Sequence, residues 1–262
     1  LTSALSPDLI IFAERLADAA RGAIRPYFRQ SFAVETKPNR TPVTIADRAA
    51  EEAMRRLITE TFPAHGIVGE ELGAEREDAE FVWILDPIDG TKSFATGLPI
   101  FGTLIALVHD GRPVIGIIDQ PILTERWLGV RGRPSLFNGK PAKTRPCSDL
   151  ANAALFATTF DRFNRSEMAR FQKLVEMTSI NRLSGDCYAY GLLALGLADV
   201  VVDAEMKPHD FAALVPVIEG AGGAIGDWEE RPLPMRRPSR VAAVGDPKLF
   251  GAVCAVLSGK KI

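Results

Sequence analysis

Asp86 and Asp89 stand three residues apart in WILDPIDGTKSF (83–94), behind an apolar run and directly before Gly90-Thr91. Two further acidic segments lie elsewhere: GEELG (69–73), with Glu70 and Glu71 in a glycine-bounded turn, and KPHD (207–210), with Asp210 where a helix is expected to begin. Each acid alone is explained as a turn or helix-start residue, positions that favour carboxylates. Yet each also sits at an expected strand end or helix start, and such ends can converge in space. Carboxylates brought within about 4 Å repel by about 4 kcal/mol per pair at an effective dielectric of about 20. A fold that gathers them must protonate one, move them apart or neutralise them with a cation. Hard oxygen donors, with no metal-ligand spacing among His65, His109 and His209 and no His or Cys expected close by, point to Mg²⁺ or Mn²⁺ over zinc. If a helix starts after Asp89, its free N–H groups form an anion site, and Gly90 permits close backbone approach. Cations facing such a turn suit hydrolysis of a phosphate ester.

The elements that must position these residues follow from periodicity. Leu9, Phe12, Ala13, Leu16, Ala19, Ala20 and Ala23 predict an amphipathic helix over 7–29. Thr44 is the expected N-cap of a second helix to about Phe62, and Asp47 three residues on has capping-box spacing, so spacing alone reads it as a helix-start acid. Strands are expected at 81–86, across 102–121 with an Asp110-Gly111 hairpin turn, and at 125–130. Short strands at 153–160, 179–184 and 199–204 alternate with helices at 164–178, 188–197 and 210–221. Proline, lysine and asparagine thicken around 134–150, which divides the chain into an N-terminal α+β half (1–140) and a C-terminal α/β half (141–262).

Composition excludes several classes. The chain has 262 residues, 47% hydrophobic and 24% charged, the make-up of an ordinary globular protein with a sizeable core. A net charge of −2 gives no reason to expect nucleic acid, and the local basic stretch RPLPMRRPSR (231–240) is read as a proline-rich loop. The apolar run 192–202 is too short for a membrane span. The N-terminal stretch carries charges at helical intervals and reads as a helix, not a signal peptide. Cys147, Cys187 and Cys254 form no CxxC and read as reduced thiols, the expectation for a cytoplasmic protein. EGAGGAIG (219–226) lacks the preceding strand of a dinucleotide fingerprint.

GEE, then DPIDGTKSF, then KPHDFAA resembles the motif order of the inositol monophosphatase family of magnesium-dependent phosphatases, and the match runs from VTIAD to the glycines near Gly222. The resemblance implies the layered αβαβα sandwich of the sugar-phosphatase superfamily, with a site between the two halves. It implies two or three Mg²⁺ ions, with Mn²⁺ a possible substitute, held by Glu70, Asp86, Asp89, Asp210 and the backbone carbonyl of Ile88. Gly90 and Thr91, with Asp89, would cradle the phosphate. Asp47 would work with the Thr91 hydroxyl to deprotonate the attacking water, a role that spacing alone did not assign, and Glu70 would share in catalysis as a metal ligand. Glu71 matches a position outside the metal shell. One departure is His209, where many relatives carry Trp.

Lys92-Ser93 and the blocks 101–129 and 186–223 resemble the histidinol-phosphate phosphatase branch. That implies hydrolysis of L-histidinol phosphate, a small phosphorylated metabolite, in histidine biosynthesis. Its ammonium and imidazole call for acids beyond those on the metals. Asp186 and Glu205 are the candidates, each with a capping or surface role as the plain alternative. Inositol phosphate or a related sugar or nucleotide phosphate is the rival substrate. A metal- and phosphate-binding regulator without activity is the more distant reading. No membrane or nucleic-acid partner is expected, and a homodimer is implied by the family.

Overall fold

The computed structural model describes residues 5–30, 35–36 and 42–259. Helix α1 (Pro7–Ile24) opens with Ser6 as N-cap and Pro7 in its first turn, and gives way to a 3₁₀ turn over Arg25–Tyr27. The expected helix to residue 29 therefore ends early, since a proline at 26 has no N–H to continue it. Two-residue strands β1 (Glu35–Thr36) and β2 (Pro42–Val43) pair with each other and lead into α2 (Ile45–Thr61), capped by Thr44 with Asp47 completing a capping box.

The first half then builds an eight-stranded sheet. Its strands are β3 (Gly66–Gly69), β4 (Gly73–Glu75), β5 (Phe81–Asp89), which is followed by the short helix α3 (Thr91–Ala95), then β6 (Gly102–His109), β7 (Arg112–Gln120), β8 (Glu125–Val130), β9 (Leu136–Phe137) and β10 (Lys140–Pro141). The order is β10-β9-β8-β7-β6-β5-β3-β4, antiparallel except for the β3–β5 pair. Asp110 (φ 51°) and Gly111 (φ 69°) make the left-handed two-residue turn that the sequence predicts between β6 and β7.

The second half forms a five-stranded sheet, order β12-β11-β13-β15-β14. It comprises β11 (Ala154–Ala157), helix α4 (Arg165–Glu176), β12 (Ile180–Leu183), α5 (Asp186–Ala194), β13 (Val200–Met206), α6 (Pro208–Phe211), α7 (Leu214–Gly220), β14 (Ala224–Gly226), β15 (Ser239–Val244) and α8 (Phe250–Ser258). The helix expected over 210–221 is thus two, broken at Ala212-Ala213. Strands β14 and β15 and helix α8 were not expected.

Alternation of side chains fixes the layers. Trp83 and Leu85 of β5 face α1 and α2, packing with Phe12, Leu16 and Met54, while Val82 and Ile84 face α5 and α7 with Tyr190 and Val217. Val201 and Ala243 of the second sheet close on that same middle helical layer, and Val200, Val202 and Val244 turn outward to α4 and α8. The result is five layers, α/β/α/β/α, as the resemblance implies. Among the described residues no helix is long and apolar enough to cross a membrane.

Candidate active site

The alternation in β5 also explains how two acids three apart come to share a face. In a regular strand Asp86 and Asp89 would point to opposite sides. The β5–β6 register shifts between Asp86 and Asp89, and Ile88, which regular alternation would turn with Val82 and Ile84, is buried instead with Trp83 and Leu85. That shift at Pro87-Ile88 returns Asp89 to the side of Asp86. Carboxylate oxygens of Asp86, Asp89 and Asp210 lie within 4.8 Å of one another, and a second group joins Glu70, Asp86 and His209 within the same distance.

Each acid is delivered by a separate local device. Glu70 follows β3, with its N–H on the Leu85 carbonyl (3.1 Å). The turn beyond it is held by the buried Glu51 of α2, which accepts the Glu71 and Leu72 N–H groups at 2.8 and 3.1 Å and pairs with Arg55 at 2.8 Å. A β-carbon at position 69 would come 1.9 Å from the Glu51 carboxylate, so Gly69 is the residue that lets the turn sit on α2. Asp210 caps its own short helix, accepting the Lys207 N–H at 2.6 Å. Asp89 accepts the Cys187 N–H at 2.6 Å, tying the end of β5 to the start of α5.

Asp47 is fully buried at the start of α2, where its Oδ2 accepts the Thr44 N–H (2.8 Å) and hydroxyl (2.5 Å). Its other oxygen, Oδ1, is 3.5 Å from the Thr91 hydroxyl, which also lies 3.2 Å from the Ile88 carbonyl. Helix-start acid and Thr91 partner are therefore one residue in two roles. Gly90 holds φ 89°, and a β-carbon there would sit 2.7 Å from the Asp186 carboxyl group. Asp186 accepts the Ser93 hydroxyl (2.5 Å) and, at φ 42°, begins α5 from a strained turn beside the site. Glu205 is exposed, with φ 53°, at the register irregularity of β13 between Asp203 and Met206.

Crowding shows in the electrostatics. Burial, reinforced by Glu70, Asp89, Asp210 and Asp47, pushes the Asp86 carboxyl well above the usual carboxylate range. Burial also raises Asp89 strongly, with Asp186 and Asp210 adding to it against the Cys187 hydrogen bond. Asp47 is pushed up to about 6 by burial, against its Thr44 hydrogen bonds and with help from Glu70. Asp86 Oδ1 is buried without a hydrogen-bond partner, a costly state for a carboxylate oxygen. An ion among these donors would satisfy it, so the donor set fits a bound divalent cation.

Several residues of the site were not legible from sequence. Arg162, between β11 and α4, brings a guanidinium nitrogen 3.6 Å from Asp210 Oδ2. Glu51 and Arg55 hold the Glu70 turn from a helix read only as scaffold. Most directly, the expectation that no histidine lies close to the acids needs correction, because a His209 ring nitrogen lies within 4.8 Å of carboxylate oxygens of Glu70 and Asp86. Spacing among the histidines could not reveal this; adjacency to Asp210 was the available signal. Cys187 is a buried core residue, and Tyr190 packs between helix and sheet with its hydroxyl 2.9 Å from Asp203. A surface cavity of about 390 Å³ lined by Arg21, Arg126 and Asn138 lies apart from these acids, and its two arginines are engaged by the buried Asp119.

Comparisons with known proteins identify the family and the fold. A model of the inositol monophosphatase family matches residues 7–260. A chloroplastic bifunctional phosphatase of Arabidopsis thaliana is 50% identical over 215 residues, 81% of this chain and 62% of that protein, so the match spans less than two thirds of that relative. A histidinol-phosphatase of Chlorobaculum parvum is 36% identical over 228 residues, 87% of this chain and 88% of the relative. The solved structure of an inositol monophosphatase from Zymomonas mobilis superposes with a TM-score of 0.89 at 46% identity, covering 97% of this chain and all of that one.

Proposed function

From a chain that belongs to the inositol monophosphatase family of phosphatases, we infer a divalent-cation-dependent phosphomonoesterase that hydrolyses L-histidinol phosphate to L-histidinol and phosphate. The observation that carries the reading is the convergence of Glu70, Asp86, Asp89 and Asp210, with a buried, unpartnered Asp86 oxygen, close to Asp47 and Thr91. Glu70, Asp86, Asp89, Asp210 and the Ile88 carbonyl would hold the cations. When bound, these supply acidity to a coordinated water and positive charge opposite the phosphoryl oxygens.

The chain's own groups account for the remainder. The Thr91 hydroxyl orients the water and hands a proton toward Asp47 Oδ1, whose Oδ2 is pinned by Thr44. The water oxygen bonds to phosphorus, the ester P–O bond breaks, and the departing alkoxide takes a proton from solvent to leave as histidinol, while Asp47 releases to solvent the proton it received. Gly90 and Thr91 N–H groups receive the phosphoryl oxygens, and the missing side chain at 90 leaves room for the Asp186 carboxyl group beside them. Asp186, packed against Gly90, and Glu205, at the exposed end of β13, are the acids for the substrate's cationic groups. A homodimer belongs to the same reading.

Support for the substrate comes from the histidinol-phosphatase relatives, while the Zymomonas mobilis likeness favours inositol phosphate as the rival. Both share the reaction, so substrate comparison decides between them. With Mg²⁺ present, kcat/KM for L-histidinol phosphate is expected to exceed that for inositol 1-phosphate at least tenfold, about 1.4 kcal/mol of transition-state preference. A tenfold preference for inositol phosphate would replace the proposed substrate and leave the reaction standing.

A further inference from the structure

His209 stands where its ring could do more than line a pocket. Its side chain is only 11% exposed, and one of its nitrogens lies within 4.8 Å of carboxylate oxygens of both Glu70 and Asp86. The Nε2–Asp210 Oδ1 distance of 3.6 Å is too long for a hydrogen bond, so that contact does not tie the imidazole down. Asp86, whose carboxylate belongs to both groups of donors, contributes the independent sign of a ligand: its Oδ1 is buried and has no hydrogen-bond partner. The two groups of donors sharing Asp86 then differ in chemistry. Asp86, Asp89 and Asp210 offer oxygen alone, whereas Glu70, Asp86 and His209 offer oxygen and nitrogen.

We propose that His209 is a nitrogen ligand to the cation shared with Glu70 and Asp86, so that this one position favours a first-row transition ion such as Mn²⁺ over Mg²⁺. Imidazole is a softer donor than carboxylate, and Mg²⁺ keeps oxygen and water around it. The neighbouring all-oxygen position remains suited to Mg²⁺. Position 210 binds through its carboxylate in either case, so the preference is written by the residue before it.

The inference rests on the cation-binding reading above, and its test separates the two. Chelator-stripped protein is loaded with Mn²⁺ alone, without substrate, and examined by pulsed electron paramagnetic resonance for coupling to a ¹⁴N nucleus. Wild type is expected to show that coupling, and His209→Phe, which keeps a flat ring without nitrogen, to lose it. In calorimetric competition, the Mn²⁺ over Mg²⁺ affinity ratio is expected to fall about tenfold in His209→Phe. His209→Asn, which returns an oxygen donor, should retain binding but share the reduced ratio, and serves if the phenylalanine variant is unstable. Mn²⁺ bound with no nitrogen coupling, or an unchanged ratio, overturns this proposal alone. No cation bound by wild type overturns the reading beneath it as well.

Discussion

Asp47→Asn is expected to lower kcat by about 10²–10⁴-fold, the range for loss of a positioned general base. The substitution is close to isosteric and tests one oxygen. An asparagine carbonyl in place of Oδ2 still accepts the Thr44 N–H and hydroxyl, so the α2 cap survives. The amide nitrogen then occupies the place of Oδ1, 3.5 Å from the Thr91 hydroxyl, and donates where a carboxylate would accept. A hydroxyl so engaged cannot pass a proton on. Steady-state kinetics with saturating Mg²⁺, together with calorimetry of Mg²⁺ binding, would show kcat falling with cation affinity little changed. A kcat within threefold of wild type would remove Asp47 from the chemistry and return it to the role of helix cap.

Asp86→Asn should separate function from stability. Turnover is expected to drop by at least about 100-fold, because loss of a ligand should cost no less than loss of a residue that only supports one. The cation-free protein should meanwhile melt at a higher temperature than wild type near neutral pH. Burial and four neighbouring acids raise the folded-state value of Asp86 above its unfolded 3.8. For a group raised on folding, stability is complete below the unfolded value and is lost as pH rises through the folded one. Asparagine removes that loss and can donate to the surrounding carboxylates. The gain over wild type should therefore be large at about pH 7.5 and vanish toward about pH 4 in melts run with chelator. His65, lowered by burial, has the opposite sign, but it is common to both proteins and cancels. A variant less stable than wild type at neutral pH would mean that the acids are not crowded in the way the structure places them.

Signals confined to one stretch of chain were readable in advance. Thr44 and Asp47 announced the start of α2, Asp110-Gly111 the β6–β7 turn, and the two acids before Gly90 the end of β5. What was not readable depended on partners far away in sequence. Helix α8, which packs beside α4 on the second sheet, is apolar on nearly every side and so shows no amphipathic period. The break between α6 and α7 is the exception, marked locally by Pro216, which has no N–H to give the Ala212 carbonyl. At the site, the register shift that aligns Asp86 with Asp89 could be inferred only from the β6 partner. Glu51, Arg162 and the ring of His209 gained meaning only once β3, β5 and the segment before α4 were brought together.

The central claim is that these converging acids make a cation site for phosphoester hydrolysis. Its most direct test is release of inorganic phosphate from L-histidinol phosphate by chelator-stripped protein as Mg²⁺ is returned. Release is expected to stay at background without cation and to recover to the full rate as Mg²⁺ saturates. Undiminished turnover in the presence of chelator would contradict it.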